Sequence, residues 1–297
     1  MSLRHGAALS AVLAIAACVT PPPRQDGPPI DDRGPAVVPP LPPPMQASGF
    51  EIDGALEQGG WIRGRVPRGA TALRLGDAVV DLTPDGRFFA GIDRDAPIAL
   101  RLTASSASGQ SVARNLTVAR RDWRIERVNA PLSGSVPSET YMAIRRPELA
   151  AIEAARARSS DSDGWAQSFV WPVKGRISGR FGSQRIYQGV PGAYHSGLDI
   201  APGAGAPYVA PADGVVVLAA SRPFSLEGNL LIVDHGMGLN SAFLHSTRLV
   251  VKQGDRVKQG QLLGYVGATG RATGPHLHWS LKWQDARLDP LLFLPAQ

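Results

Sequence analysis

Three observations predict a mostly β protein. Glycine (33) and proline (26) are abundant in the 297 residues while aromatics make up 6%, a balance that suits short strands and turns better than a helical bundle. Runs such as "WIRGRVP", "APIALRLTASS" and "SVARNLTVA" alternate partly between apolar and polar residues, the period of a half-buried strand. "TPDGRF" (83–88) places a strong turn signal between two such runs.

Taken in order, the chain opens on "MSLRHGAALSAVLAIAAC", a short basic start followed by an apolar run from Ala7 to Ala17. That pattern predicts a secretion signal over residues 1–17, too short to span a membrane. Small residues before Cys18 resemble the lipobox of bacterial lipoproteins. The resemblance implies cleavage after Ala17 and lipid modification of Cys18. Val19, not aspartate, follows the cysteine, which favours the outer membrane and a periplasm-facing protein of the cell envelope. Cys18 is the only cysteine, so no intrachain disulfide can form.

Residues 18–48 are predicted to be a proline-rich tether. Eleven of the 26 prolines fall between Pro21 and Pro44. Such a stretch cannot bury a core and, fully extended, would reach roughly 75 Å at about 3.1 Å per residue.

Residues 49–128 are expected to form a small β-sandwich, immunoglobulin-like, serving as a spacer or positioning module. "NLT" at 115–117 matches a glycosylation sequon, to which no role is assigned. Residues 129–168 are expected to be a helical connector and linker. After Ser138, the Ala/Glu/Arg-rich stretch predicts one helix or two, with Pro147 at the first turn of the second. Leu149, Ile152 and Ala155 are expected on its packed face.

The last domain, 169–297, contains β-rich runs such as "GVVVLAA", "NLLIVDHG" and "QLLGYVG", separated by Gly or Asp. It also holds every histidine beyond His5: His195, His235, His245, His276 and His278. His195 and Asp199 are four apart, but Gly197, Pro202 and Gly203 argue against a helix. In an extended chain both project to one side. The same period puts His276 and His278 on one face, with Leu277 turned into the core. A tetrahedral zinc site takes three protein ligands and keeps a position for water. His195, Asp199 and one of the two histidines of "HLH" can supply them. Imidazole-rich donors disfavour magnesium and calcium.

"SGRFG", "HSGLDIAPGAGAPYVAPADGVV", "GNLLIVDHGMGLNSAFLH", "VKQGDRVKQGQLLGYVGATGRATGPHLHW" and "LDPLLFL", in that order over about residues 172 to 294, resemble the lysostaphin/LytM-type zinc metalloendopeptidases. The resemblance implies a compact antiparallel β core with one Zn2+ in a groove, and hydrolysis of peptide bonds in bacterial peptidoglycan. By motif position it implies His195, Asp199 and His278 as metal ligands and His245 and His276 as the catalytic pair. His235 has no ligand role in that pattern and reads as structural. Ser246 follows His245 directly, where many members have leucine first; the histidine itself stays in place.

In a diderm lipoprotein the expected bond is a D-alanyl cross-link to diaminopimelate. The expected partners are peptidoglycan stem peptides and, through the lipid anchor, a membrane. The main alternative is a non-catalytic, LytM-like activator or wall-binding regulator of amidases, since some members have lost ligands. This chain keeps all five positions. The net charge of +6 and pI near 9.9 would also suit nucleic acid, but the arginines are scattered, few aromatics accompany them and no nucleic-acid-binding signature is present. A lipoyl-type carrier is suggested by "GDRVKQGQLLG", yet Lys252 and Lys258 lack the flanking motif and the histidines would go unused.

Overall fold

The computed structural model describes residues 45, 46, 49–131 and 138–295. The signal segment, Cys18 and nearly all of the tether therefore lie outside the described residues. The described chain is mostly β, with antiparallel sheets and a single α-helix, as the punctuation of the sequence predicts. None of its helices is long and apolar enough to cross a membrane.

The first β region holds two antiparallel sheets. One pairs Glu51–Ala55, Trp61–Arg65 and Arg87–Gly91; the other orders Ala78–Val80, Ala70–Leu75, Ala99–Ser106 and Ser111–Thr117. The "TPDGRF" turn closes through the Thr83 hydroxyl, which accepts from the Arg87 N–H at 2.8 Å.

The C-terminal region is built on an eight-stranded sheet. Its order is Arg256–Val257, Gly214–Ala219, Asn229–Asp234, Leu239–Ser246, Leu277–Trp283, Leu198–Ala201 and Arg176–Gly179, with Ala286–Leu288 also on Leu277–Trp283. Along Leu277–Trp283, Leu277, Trp279, Leu281 and Trp283 are buried while His278, Ser280 and Lys282 face the other way. That alternation anchors the strand by its apolar face. It leaves His278 on a half-open surface.

The two regions share a core. One continuous apolar cluster runs from Phe50, Ile62 and Phe88 to Trp279, Trp283 and Leu288. Trp61 lies 5.2 Å from Phe293, centre to centre, and its indole N–H donates to the Leu292 carbonyl at 3.1 Å. The β-region expected to act as a spacer is therefore packed into the body of the protein. One further strand, Ile125–Val128, pairs in parallel with Gln184–Tyr187.

The helix spans Glu139–Arg156 without a break and is capped by the Ser138 hydroxyl, which accepts from the Tyr141 N–H. Of the two readings, one helix or two, the single helix is the one that forms, with Pro147 inside it. Loss of one intrahelical bond at Pro147 is offset by anchors on either side of it. Arg145 pairs with Glu227 at 2.6 Å, and the Glu148 carboxylate accepts from the Ser225 N–H and hydroxyl at 2.7 and 2.6 Å. The same anchors rotate the packed face. Ala155, with Ala151 and Ile152 beside it, packs against Val217, Phe224 and Ile232, whereas Leu149 is exposed.

Candidate metal centre

Register brings the site together. Asp199 is the cross-strand partner of His278, and His278 in turn is the partner of Leu244, one residue before His245. Directly opposed side chains on one face of an antiparallel pair touch, so the Asp199 carboxylate meets the His278 Nδ1 at 2.8 Å. His195 sits in the loop before the strand rather than in it. Its backbone is pinned at both ends: its N–H donates to the Ser183 carbonyl and its carbonyl accepts from the Gly182 N–H. The His195 Nε2 reaches the same Asp199 oxygen at 3.0 Å and stands 3.2 Å from His278 Nδ1.

These three atoms fit a metal. Bonds of about 2.0–2.1 Å in a tetrahedron separate the ligand atoms by about 3.3–3.4 Å, slightly more than the observed spacings. With the His195 Nδ1 proton aimed at the Arg180 carbonyl, its Nε2 turns a lone pair toward the Asp199 oxygen, so the three atoms form a poor hydrogen-bond set. They form a good set of lone-pair donors for a cation. Among the described residues it is the one group of three such side chains that could hold a metal ion.

Space is made by two glycines that spacing alone does not single out. A Cβ on Gly197 would lie 2.7 Å from His278 Nε2, and one on Gly179, in "SGRFG", would overlap the Asp199 carboxylate. The second ring nitrogen of His195, Nδ1, lies 3.1 Å from the Arg180 carbonyl, the outer contact that orients a ligating imidazole.

Electrostatics follow from this geometry. Burial pushes the Asp199 carboxyl up, but the hydrogen bonds and charges of His195 and His278 outweigh it and hold the group well below the usual carboxylate range. Burial pulls His195 down, and Asp199 more than reverses that. Burial keeps His278 below its ordinary value despite Asp199.

His245 and His276 stand beside this group, 4.9 Å apart between ring centres. His276 Nε2 is 3.7 Å from the Asp199 carboxylate. The backbone of His245 has a φ of 65°, a left-handed conformation that costs a non-glycine residue about 1–3 kcal/mol. It is held there by its N–H, which donates to the Glu227 carbonyl at 2.8 Å, and by its Nδ1, which lies 2.8 Å from the Thr269 carbonyl. His276 Nδ1 lies 2.9 Å from the Gly274 carbonyl. In both rings this leaves Nε2 free for proton transfer. Burial lowers the His245 imidazole below its ordinary value.

His235 lies apart from these four rings. It is fully buried, with Nδ1 2.8 Å from the Asp213 carbonyl and Nε2 2.7 Å from the Ser241 hydroxyl. That is a structural histidine, and burial pushes it down to about 4.

One wall of the surrounding cleft, of about 990 Å³, comes from Arg121–Arg124 and Glu126, outside the last domain. Sequence reasoning missed this wall; no local pattern marks a strand whose partner lies some sixty residues downstream.

Residues 193–290 match the profile of peptidase family M23. The peptidoglycan DD-endopeptidase ShyA of Vibrio cholerae serotype O1 is 40% identical over 114 residues, 37% of this chain and 26% of that protein. The murein hydrolase activator NlpD of Escherichia coli (strain K12) is 31% identical over 127 residues, 43% of this chain and 31% of its own length. The chain thus spans about a third or less of these two curated relatives. A Pseudomonas aeruginosa crystal structure described as a peptidase M23 superposes with a TM-score of 0.60 at 30% identity, over 80% of this chain and 93% of that one. That likeness reaches well upstream of residue 193.

Proposed function

Since the chain belongs to peptidase family M23, we propose that it is a zinc-dependent endopeptidase that hydrolyses peptide cross-links of bacterial peptidoglycan in cell-wall remodelling. The observation that carries this reading is the convergence of His195, Asp199 and His278 on one point, with the Nε2 atoms of His245 and His276 left free beside it. In this reading the first three residues hold the metal. Zinc, when bound, lowers the pKa of its water from 15.7 to about 7 and polarises the scissile carbonyl.

The chain's own groups do the rest. His245, whose imidazole burial pushes below its ordinary value, takes the proton of the attacking water at Nε2 and delivers that same proton to the leaving amine as the C–N bond breaks. His276, its Nδ1 proton committed to the Gly274 carbonyl, stands beside it at 4.9 Å between ring centres and orients the attacking water through its bare Nε2. Thr269 and Gly274, through their carbonyls, fix the two tautomers so that the free nitrogens face the substrate.

The name of the Escherichia coli relative describes an activator of murein hydrolases, which is the observation behind a second reading, a non-catalytic regulator. The complete set of five side chains favours the enzyme. In the same reading Cys18 carries a lipid anchor that holds the protein at the periplasmic face of the outer membrane. Digestion of purified sacculi with zinc-loaded protein is expected to convert cross-linked muropeptide dimers to monomers. Unchanged dimers would leave only the regulator.

A further inference from the structure

Five arginines line the cleft around His195 and Asp199: Arg121, Arg124, Arg180, Arg185 and Arg271. Two are paired with the protein's own carboxylates. Arg121 pairs with Asp289 at 2.8 Å and with Glu57 at 3.3 Å. Arg185 pairs with Glu126 at 2.8 Å. Arg124, Arg180 and Arg271 are not paired in this way among the described residues, and the last two stand against the candidate site itself. Both are exposed, and neither side chain has an ion pair or hydrogen bond among the described residues. Asp122 is the one lining carboxylate outside these pairs and the metal group.

The Arg180 and Arg271 guanidinium groups belong to the two halves of the site. The Arg180 carbonyl contacts His195 Nδ1 at 3.1 Å, so Arg180 sits beside a metal-ligand candidate. The Arg271 N–H donates at 3.0 Å to the carbonyl of Leu226, next to Glu227, whose own carbonyl holds His245. Arg271 therefore sits on the proton-transfer side. Both backbones are fixed while both side chains are available. A guanidinium offers a planar fork matched to a carboxylate and keeps its charge at any working pH.

We propose that Arg180 and Arg271 form a carboxylate-binding subsite, and that the cleft selects peptides bearing free carboxylates beside the scissile bond over amidated counterparts. This rests on the endopeptidase reading for its substrate, though not for the binding itself.

The test uses the full chain and two versions of one synthetic cross-linked stem peptide, with free or amidated carboxylates. Calorimetry gives Kd and, where turnover occurs, kinetics give KM and kcat. Wild type is expected to bind the free-carboxylate peptide about tenfold more tightly, the size of one charge-assisted bond. Arg180→Gln and Arg271→Gln should each erase most of that preference. They should leave kcat, zinc content and binding of the amidated peptide within about twofold, while Arg→Lys variants recover part of the loss. Equal binding of the two peptides by wild type, or an equal loss on both in the variants, would overturn the subsite. Carboxylate-selective binding without any cleavage would instead retain the subsite and remove the endopeptidase.

Discussion

The guanidinium of Arg94 reaches out of the first β region and donates to the Gly182 carbonyl from Nη2 at 3.1 Å and from Nε at 3.3 Å. It is 6% exposed and stacks over Tyr194 at 4.5 Å and Trp123 at 5.1 Å. Gly182 in turn bonds the His195 carbonyl. A residue about a hundred positions upstream thus anchors the loop that presents a metal-ligand candidate. Outer contacts of this kind are worth 10–100-fold in metal affinity. Arg94→Ala is expected to weaken zinc binding by about tenfold, measured by competition with a chromophoric chelator. Arg94→Lys should not restore it, because an ammonium cannot reproduce the two-pronged contact.

The five site residues should separate into two classes. His278→Ala removes a donor, and zinc content by atomic emission should fall far below stoichiometric. His245→Ala and His276→Ala keep the three donors, so zinc should stay near one per chain while muropeptide cleavage drops by about 10²–10⁴-fold, the range of a lost acid–base group. Loss of zinc in all three would dissolve the distinction.

Gly179→Ala tests crowding at the carboxylate. The added methyl would overlap Asp199, so the carboxylate must rotate away. Zinc affinity is expected to fall while circular dichroism stays native. Retained affinity would show that Asp199 has freedom the packing denies it.

Arg145 is 8% exposed at its side chain and pairs with Glu148 at 3.0 Å and Glu227 at 2.6 Å. Arg145→Met would leave two largely buried carboxylates without their cation, costing about 3–5 kcal/mol in urea unfolding. Glu227 also holds the strained His245 backbone through its carbonyl, so turnover should fall further than zinc affinity. The double variant Arg145→Met/Glu227→Gln is expected to regain part of the stability.

His235 gives a pH signature. Its imidazole is pushed down to about 4 in the fold, against about 6.5 when unfolded. Between those values the unfolded chain holds a proton that the native chain refuses. This contribution to stability is therefore full above pH 6.5 and lost as pH falls toward 4, by about 3 kcal/mol across the window. His235→Gln should unfold at lower temperature at pH 7 and show a shallower decline on acidification. Parallel declines in the two proteins would contradict the assignment.

Much of this site was legible in the sequence. The alternation of "HLHWSLKW" told which face of the strand is buried, because Leu277 and Trp279 are apolar and the histidines are not. The pairing of His195 with Asp199 was anticipated, although His195 turned out to lie in a loop and to reach the carboxylate through anchored backbone rather than strand geometry. Contacts distant along the chain were not legible. Nothing local to Arg94 announces Gly182, and nothing around Ile125 announces Gln184. The exposure of Leu149 was missed for the same reason. Glu227 and Ser225, remote in sequence, decide which side of Glu139–Arg156 faces inward.

The parallel pairing of Ile125–Val128 with Gln184–Tyr187 bears on how this molecule can be cut. A fragment begun at Phe169 would carry Gln184–Tyr187 stripped of its neighbour on one side, with only Val190–Pro191 left on the other and the freed amides open to any passing strand. Such bare borders template intermolecular sheets. The trimmed protein should therefore self-associate where the intact chain stays dispersed.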